Sequence, residues 1–331
     1  MKNYRKHSLA WLFVASIVLS SCTFAVTTNI NLPTPTSEVT QSISNLAAPA
    51  SVLNGCKKIA FAMTQDFVPD IYTTCPDGSD LTNLTNNQSS DSQPAWSHDG
   101  TKIAFVSARD GNNQIYVMDD DGNNPIRLTT DYENSSPIWL PNGKQIAFLT
   151  TDGEGLWWWR IINVDNHAIS QFSEPSYDFF FQTPAWSPDG KYIAYMSLLE
   201  QQQRNDGSSQ IHSKTVDGSS DMALTNDAWA NIHPVWSPDG TRIAFLSERD
   251  GKYNMFALYV MSNNGTNLQK LTEPVYPENI TFSWSPDGQQ IAVSSDAITG
   301  SLYLVDVKSG TSKELLDLPD GEFASSPSWQ P

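Results

Sequence analysis

Positive charge, histidine and cysteine are all scarce in this chain. Among 331 residues, 19 lysines and arginines stand against 36 aspartates and glutamates, with five histidines and three cysteines. The formal net charge of −17 repels phosphate backbones and anionic lipid headgroups, so nucleic acid is not an expected partner. Part of the little positive charge there is sits at the very start, as Lys2, Arg5 and Lys6. No H-E-x-x-H and no G-x-S-x-G occurs, which removes the commonest sequence signatures of zinc peptidases and serine hydrolases. "DDDG" (Asp119 to Gly122) looks like a fragment of a calcium loop but lacks the terminal glutamate, and reads as a turn. No metal and no cofactor are expected. The longest apolar run, "LAWLFVASIVL" from Leu9 to Leu19, is too short to span a bilayer comfortably and suits a signal-peptide core.

That run ends in Leu19-Ser20-Ser21-Cys22, which resembles the bacterial lipobox. The resemblance implies that residues 1–21 form a signal peptide and that the thiol of Cys22 carries a diacylglycerol. The protein is then held in the cell envelope, at the outer membrane, in the periplasm or at the cell surface, with its only membrane contact through that lipid. From Thr23 to Gly55 the chain is rich in Thr, Ser, Asn, Pro and Ala, with one charge, Glu38. Residues 22–55 read as a lipidated cysteine and flexible tether, its ends about 30 Å apart from ~5–6 Å × √n. Cys56 and Cys75 remain. In an exported chain such a pair invites a disulfide; two unpaired buried thiols are the alternative.

The abundant feature is a repeat. "WSPDGTRIAF" begins at Trp236, and related strings begin at Trp96, Trp139, Trp186 and Trp284, with a truncated one at Trp329. The Trp-to-Trp steps are 43, 47, 50, 48 and 45 residues. Within one unit, "TPAW" (Thr183 to Trp186) suits a short inner strand, and Ser187-Pro188-Asp189-Gly190 supplies turn chemistry. "KYIAYMS" (Lys191 to Ser197) suits a second strand. In the unit before the loosest copy, "QIYVMD" (Gln114 to Asp119) and "PIRLT" give a third and a fourth. One four-stranded sheet has two faces to cover and is not stable alone. Six packed radially bury both, with each tryptophan between blades. The expected fold is therefore all-β, a six-bladed β-propeller over residues 56–331, with about 46 residues per blade. "KKIAFAM" (Lys57 to Met63) lacks a Trp strand before it and "SPSWQ" (Ser326 to Gln330) lacks a second strand after it. The C-terminal strand is thus expected to complete the first blade. A monomeric body is expected.

The W-S-P-D-G-x-x-I-A-F string, the downstream I-Y-V-M-D-x-D-G and the closing L-T resemble the TolB-type, WD-repeat-like propeller repeat. The resemblance covers essentially all of Cys56 to Pro331. It implies a fold and no catalytic set, since propellers host many functions. TolB itself also has an N-terminal α/β domain, which the tether cannot be, so a TolB role in envelope translocation is not implied. The copies depart from the pattern at His98, Leu140 and Asn142, and at "WWW" (Trp157 to Trp159).

The S-P-D-G and D-x-D-G turns should share one face, short and alike. The opposite face carries the variable links between blades and the loops between second and third strands. Its candidate ligand-binding residues are Tyr132, Glu133, Tyr177, Asp178, Phe180, Trp229, His233, Tyr276, Glu278 and Phe323. His233 alone of the histidines should approach the central channel. Exposed aromatics in turn-rich loops cost solubility, so a ring of them suggests recognition; packing between blades is the competing explanation. The expected function is a non-enzymatic binding or scaffold module for a protein segment or glycan. The alternative is a glycan lyase or hydrolase using rim carboxylates such as Glu133 and Glu278.

Overall fold

The computed structural model describes residues 55–65, 67–176, 183–197, 209–250, 255–275, 280–294, 300–319 and 321–331. Within them lie six four-stranded antiparallel sheets. The first combines β24 (Phe323–Trp329), β1 (Ile59–Gln65), β2 (Val68–Thr74) and β3 (Thr82–Asn83), in that order. Blade 2 is β4 (Asp91–Trp96), β5 (Lys102–Ser107), β6 (Gln114–Asp119) and β7 (Ile126–Arg127). Blade 3 is β8 (Glu133–Trp139), β9 (Gln145–Thr151), β10 (Trp157–Asn163) and β11 (Ile169–Gln171). Blade 4 is β12 (Ala185–Trp186), β13 (Tyr192–Ser197), β14 (Gln210–Thr215) and β15 (Asp221–Ala223). Blade 5 is β16 (Asn231–Trp236), β17 (Arg242–Ser247), β18 (Ala257–Ser262) and β19 (Gln269–Lys270). Blade 6 is β20 (Thr281–Trp284), β21 (Gln290–Ser294), β22 (Leu302–Asp306) and β23 (Ser312–Leu316). The protein is a six-bladed β-propeller, and the C-terminal strand is the inner strand of blade 1. Among the described residues no helix is long and apolar enough to cross a membrane.

The recurring string does the work its chemistry suggests. Each second strand is almost entirely buried, because its alternating sides face two neighbouring blades at once; β5 and β17 have five buried residues in a row. The tryptophans fill the seams. Trp96 packs with Ala60, Ala62 and Ile71 of blade 1, and Trp139 with Ala104, Val106 and Ile115 of blade 2. Trp284 packs with Ala244 and Leu246 of blade 5, and Trp329 with Ala292, Leu302 and Leu304 of blade 6. The indole N–H groups of three seam tryptophans help set the radial spacing. Trp139, Trp236 and Trp284 donate to the carbonyls of Ala95, Ala185 and Val235 in the preceding blade, at 3.1, 3.1 and 3.2 Å.

The turns are equally regular. Ser97, Ser187, Ser237 and Ser285 each donate a hydroxyl hydrogen bond to the aspartate two residues on, at 2.5–2.7 Å. The glycine of each turn closes the bond back to the serine carbonyl. Gly240, at φ +68°, occupies the left-handed region where a β-branched residue is strained. On this turn face the third-to-fourth-strand turn of a blade bonds its first-to-second-strand turn, as in Asp120 N–H to Thr101 O at 3.1 Å. Gly55 and Cys56 enter here, beside Asp120, Asp121 and Gln330. Cys56 and Cys75 are joined, with their Cα atoms 5.8 Å apart, across the turn-face end of blade 1.

Candidate functional site

On the opposite face, the links between blades are tied down by buried polar side chains. Asp91, Asn134 and Asn231 stand at the link-face ends of the inner strands of blades 2, 3 and 5 and are at most 1% exposed. Asn134 donates to Gln114 Oε1 at 3.1 Å and to the Asp131 carbonyl at 2.7 Å. Asn231 donates to Asp227 Oδ1 and to the Trp229 carbonyl, both at 3.0 Å. Sequence variation in these links therefore rides on a repeated internal scaffold, which fixes where their side chains point.

Tyr132 is 50% exposed, and its backbone is left-handed at φ +56°. Its carbonyl accepts from Asn112 Nδ2 at 3.0 Å and Gln114 Nε2 at 2.7 Å, which hold the strained conformation in place. The ring stands edge-on to Trp158, 5.2 Å between centroids, and 5.9 Å from the Arg160 guanidinium. Arg160 is fixed by both oxygens of Asp131, at 3.0 and 3.1 Å. Tyr132, Asp152, Leu156, Trp158, Arg160, Gln171 and Pro175 line an open depression of about 420 Å³ on the rim of blade 3. Size and mixed lining suit a small polar ligand or one unit of a larger one.

The other expected residues are not gathered into that depression. Trp229 (39% exposed) lies in the link into blade 5, and Phe323 (43% exposed) begins the inner strand of blade 1. Glu133, the first residue of β8, accepts from the Asn113 backbone N–H at 3.3 Å, so this carboxylate helps close the rim loop. Tyr177, Asp178, Phe180, Tyr276 and Glu278 lie outside the described residues, as does Cys22. His233 sits on the inner strand at a β-bulge, at φ +53° and followed by Pro234, matching Gln93, Ser136 and Ser326 in three other blades. Protein surrounds its imidazole although some of its surface stays wet, and this burial lowers its pKa to about 4. It is neutral at physiological pH. Among the described residues no three His, Cys, Asp or Glu side chains converge as metal ligands would.

Reading the links alone missed several residues. Trp158 was visible only as the middle of "WWW"; Trp157 and Trp159 turn to the seam with blade 4 and leave Trp158 facing Tyr132. Asp152, Arg160 and Gln171 carry no motif. Phe67, at the tip of the β1–β2 hairpin on the same face, is 98% exposed and left-handed at φ +68°. Nothing in the hairpin pattern marks it.

The TolB beta propeller domain model matches residues 27–179 and 164–331. The crystal structure of TolB from Acinetobacter baumannii superposes with a TM-score of 0.71 at 21% identity, over 83% of this chain and 67% of that one. That of a putative TolB from Agrobacterium tumefaciens gives 0.58 at 20% identity, over 84% of this chain and all of that one. An uncharacterized peptidase, YuxL, from Bacillus subtilis is 33% identical over 87 residues, 26% of this chain and 13% of the relative. The shared part is thus a small fraction of that relative's length, whereas the propeller match runs through most of this chain. With six blades built on the repeated W-S-P-D-G turn, the chain belongs to the TolB beta propeller family.

Proposed function

We propose that the protein is a lipid-anchored, extracytoplasmic binding module of the bacterial cell envelope that engages a protein segment or glycan through its link face and performs no chemistry. The observation that carries this reading is a contrast between the two faces. On the turn face, left-handed backbone positions are filled by glycine or by polar residues, Asp80, Asn124, His167 and Asn267. On the link face, two of them are filled by aromatics, Phe67 and Tyr132, each at least half exposed. A bulky side chain there costs backbone strain and leaves apolar surface in water. Tyr132 recovers part of that cost against Trp158, but for Phe67, at 98% exposure, folding gains nothing and a bound partner would. Trp229 and Phe323 extend the exposed aromatic set around the same rim.

The enzyme alternative draws on the peptidase likeness and on rim carboxylates. Glu133 is engaged by the Asn113 backbone N–H in the β5–β6 loop of blade 2, which weakens that alternative. Photo-crosslinking in cell envelopes tests the binding face. A benzophenone amino acid at position 67 or 229 should yield a discrete higher-mass adduct, and one at Val216, exposed on the turn face, should not. Equal labelling from both faces would contradict the proposal.

A further inference from the structure

We infer that the depression on the rim of blade 3 is a subsite for a neutral sugar ring. This rests on the reading of the link face as a binding surface and names the ligand class for one part of it.

The inference starts from a comparison of the protein with itself. Asp91 pairs with Ser107, Asn134 with Thr150 and Asn231 with Ser247, which sets blades 2, 3 and 5 in register. Two residues beyond those second-strand positions, blades 2 and 5 carry Arg109 and Arg249. Each guanidinium lies over two rings: Arg109 over Phe105 and Tyr116 at 5.3 and 4.9 Å, Arg249 over Phe245 and Tyr259 at 5.5 and 4.8 Å. Each also bonds a link-face carboxylate, Asp91 or Asp227, at 3.1 Å. The arginine thus plugs the rim of its blade.

Blade 3 exchanges the two positions. Asp152 stands where the arginine would be, and its Oδ1 folds back to accept the N–H groups of Glu154 and Leu156 at 2.9 and 3.1 Å. The arginine instead comes from the third strand. Arg160 pairs with Phe148, as Tyr116 pairs with Phe105 and Tyr259 with Phe245. Its guanidinium lies 5.6 Å from the Phe148 ring. The plug has moved down into the sheet, and the space above it is the open depression.

The lining decides the ligand. Tyr132, Trp158, Leu156 and Pro175 supply apolar surface; the Tyr132 backbone is held by Asn112 and Gln114, and its ring rests edge-on against Trp158 before any ligand arrives. A preorganised aromatic suits the C–H face of a pyranose. Asp152, Arg160 and Gln171 offer planar donor and acceptor edges of the kind that match vicinal hydroxyls. Arg160 is already paired with Asp131 beside the depression, so no positive charge is left to match an anionic ligand, and the acidic chain repels uronic acids as well. A cationic peptide is the competing ligand, and the test includes it.

The test titrates the full-length protein with neutral gluco-, xylo-, manno- and galacto-oligosaccharides. An acidic oligogalacturonide and an arginine-rich peptide serve as comparisons. Intrinsic tryptophan fluorescence and direct calorimetry provide two readouts. At least one neutral oligosaccharide should bind, and Tyr132→Ala should weaken it by roughly fivefold or more with an unchanged melting midpoint. Asp152→Arg, which restores the plug of blades 2 and 5, should abolish it; should that variant not fold, Tyr132→Ala decides. No neutral binder, or binding that survives Tyr132→Ala, overturns the subsite. A Tyr132-dependent response to the peptide alone overturns the sugar assignment and leaves the link face standing as a binding surface. Oligosaccharide cleavage that Tyr132→Ala suppresses upholds the subsite and overturns the non-enzymatic reading.

Discussion

Ile59 stands opposite Trp329 in the antiparallel pairing of β1 with β24, so the first and last strands of the body belong to one blade. The ring is closed by hydrogen bonds and by an indole, not by a covalent link along the chain. Trp329 is 7% exposed and packs against Ala292, Leu302 and Leu304 of blade 6. Trp329→Ala should therefore cost about 3–5 kcal/mol. For a domain of this size that lowers the melting midpoint by roughly 10 °C. Deleting Ser326 to Pro331 should do worse, since it also exposes two strand edges to aggregation. Differential scanning calorimetry checks both, and an unchanged midpoint for either variant would contradict closure through β24.

Cys56 and Cys75 tie the same blade from the other side. With the two positions 19 residues apart in sequence, a bridge here should contribute about 3 kcal/mol by restricting the unfolded chain. The purified protein should show no free thiol at these positions under denaturing, non-reducing conditions. Cys56→Ser with Cys75→Ser should melt lower by several degrees. Two reactive thiols per body, with no change in melting on reduction, would rule the bridge out.

Acid should destabilise the body in two stages. His233 has its pKa lowered by burial from 6.5 to about 4. The unfolded chain thus binds a proton that the folded one refuses, and stability falls as pH drops from about 6.5 towards 4. Asp189 has its pKa lowered to about 2 by hydrogen bonds from Ser187 and Lys191. The stability it contributes is present above about 3.8 and is lost as pH falls towards 2. Asp99 and Asp287, lowered chiefly by Ser97 and Ser285, act in the same direction. His233→Gln should flatten the melting profile between pH 4 and 6.5 and leave the lower stage intact. A profile indifferent to that substitution would show that the imidazole is not desolvated as described.

Legibility in the sequence followed repetition. The S-P-D-G turns, the seam tryptophans and the third strand Gln114–Asp119 were readable because each must satisfy the same geometry in blade after blade. Outer strands were overdrawn. "PIRLT" pairs only at Ile126 and Arg127, because an edge strand has one neighbour to hold it. Inner strands were underdrawn where a bulge before proline interrupts the alternation, so Phe323–Trp329 begins three residues earlier than its pattern suggests. The depression was illegible from composition because its residues come from two links, a loop and two strands. Its signal is a mismatch between copies, aspartate at 152 where 109 and 249 are arginine, and it appears only once the strands are in register. Phe67 is a single residue without a counterpart, and only its backbone angle marks it.

Lipidation can be separated from folding. Cys22→Ser should leave the protein unprocessed or move it from the detergent phase to the aqueous phase in phase separation, with an unchanged melting midpoint. Wild-type protein that partitions into the aqueous phase would remove the anchor from the account.

The central claim is that the exposed aromatics of the link face serve binding and not folding. The most direct measurement compares Phe67→Gly, Trp229→Ala and Phe323→Ala, singly and combined, for melting midpoint and for capture of envelope protein or glycan. Phe67→Gly should match or exceed the wild type in stability by about 0.5–1 kcal/mol, because glycine accepts φ +68° without strain. The combined variant should fold and lose most of its capture. Gly240→Val, on the turn face at φ +68°, is the opposite control and should damage folding. If the combined variant melts as low as Gly240→Val, or captures as well as the wild type, these aromatics do not form a recognition surface.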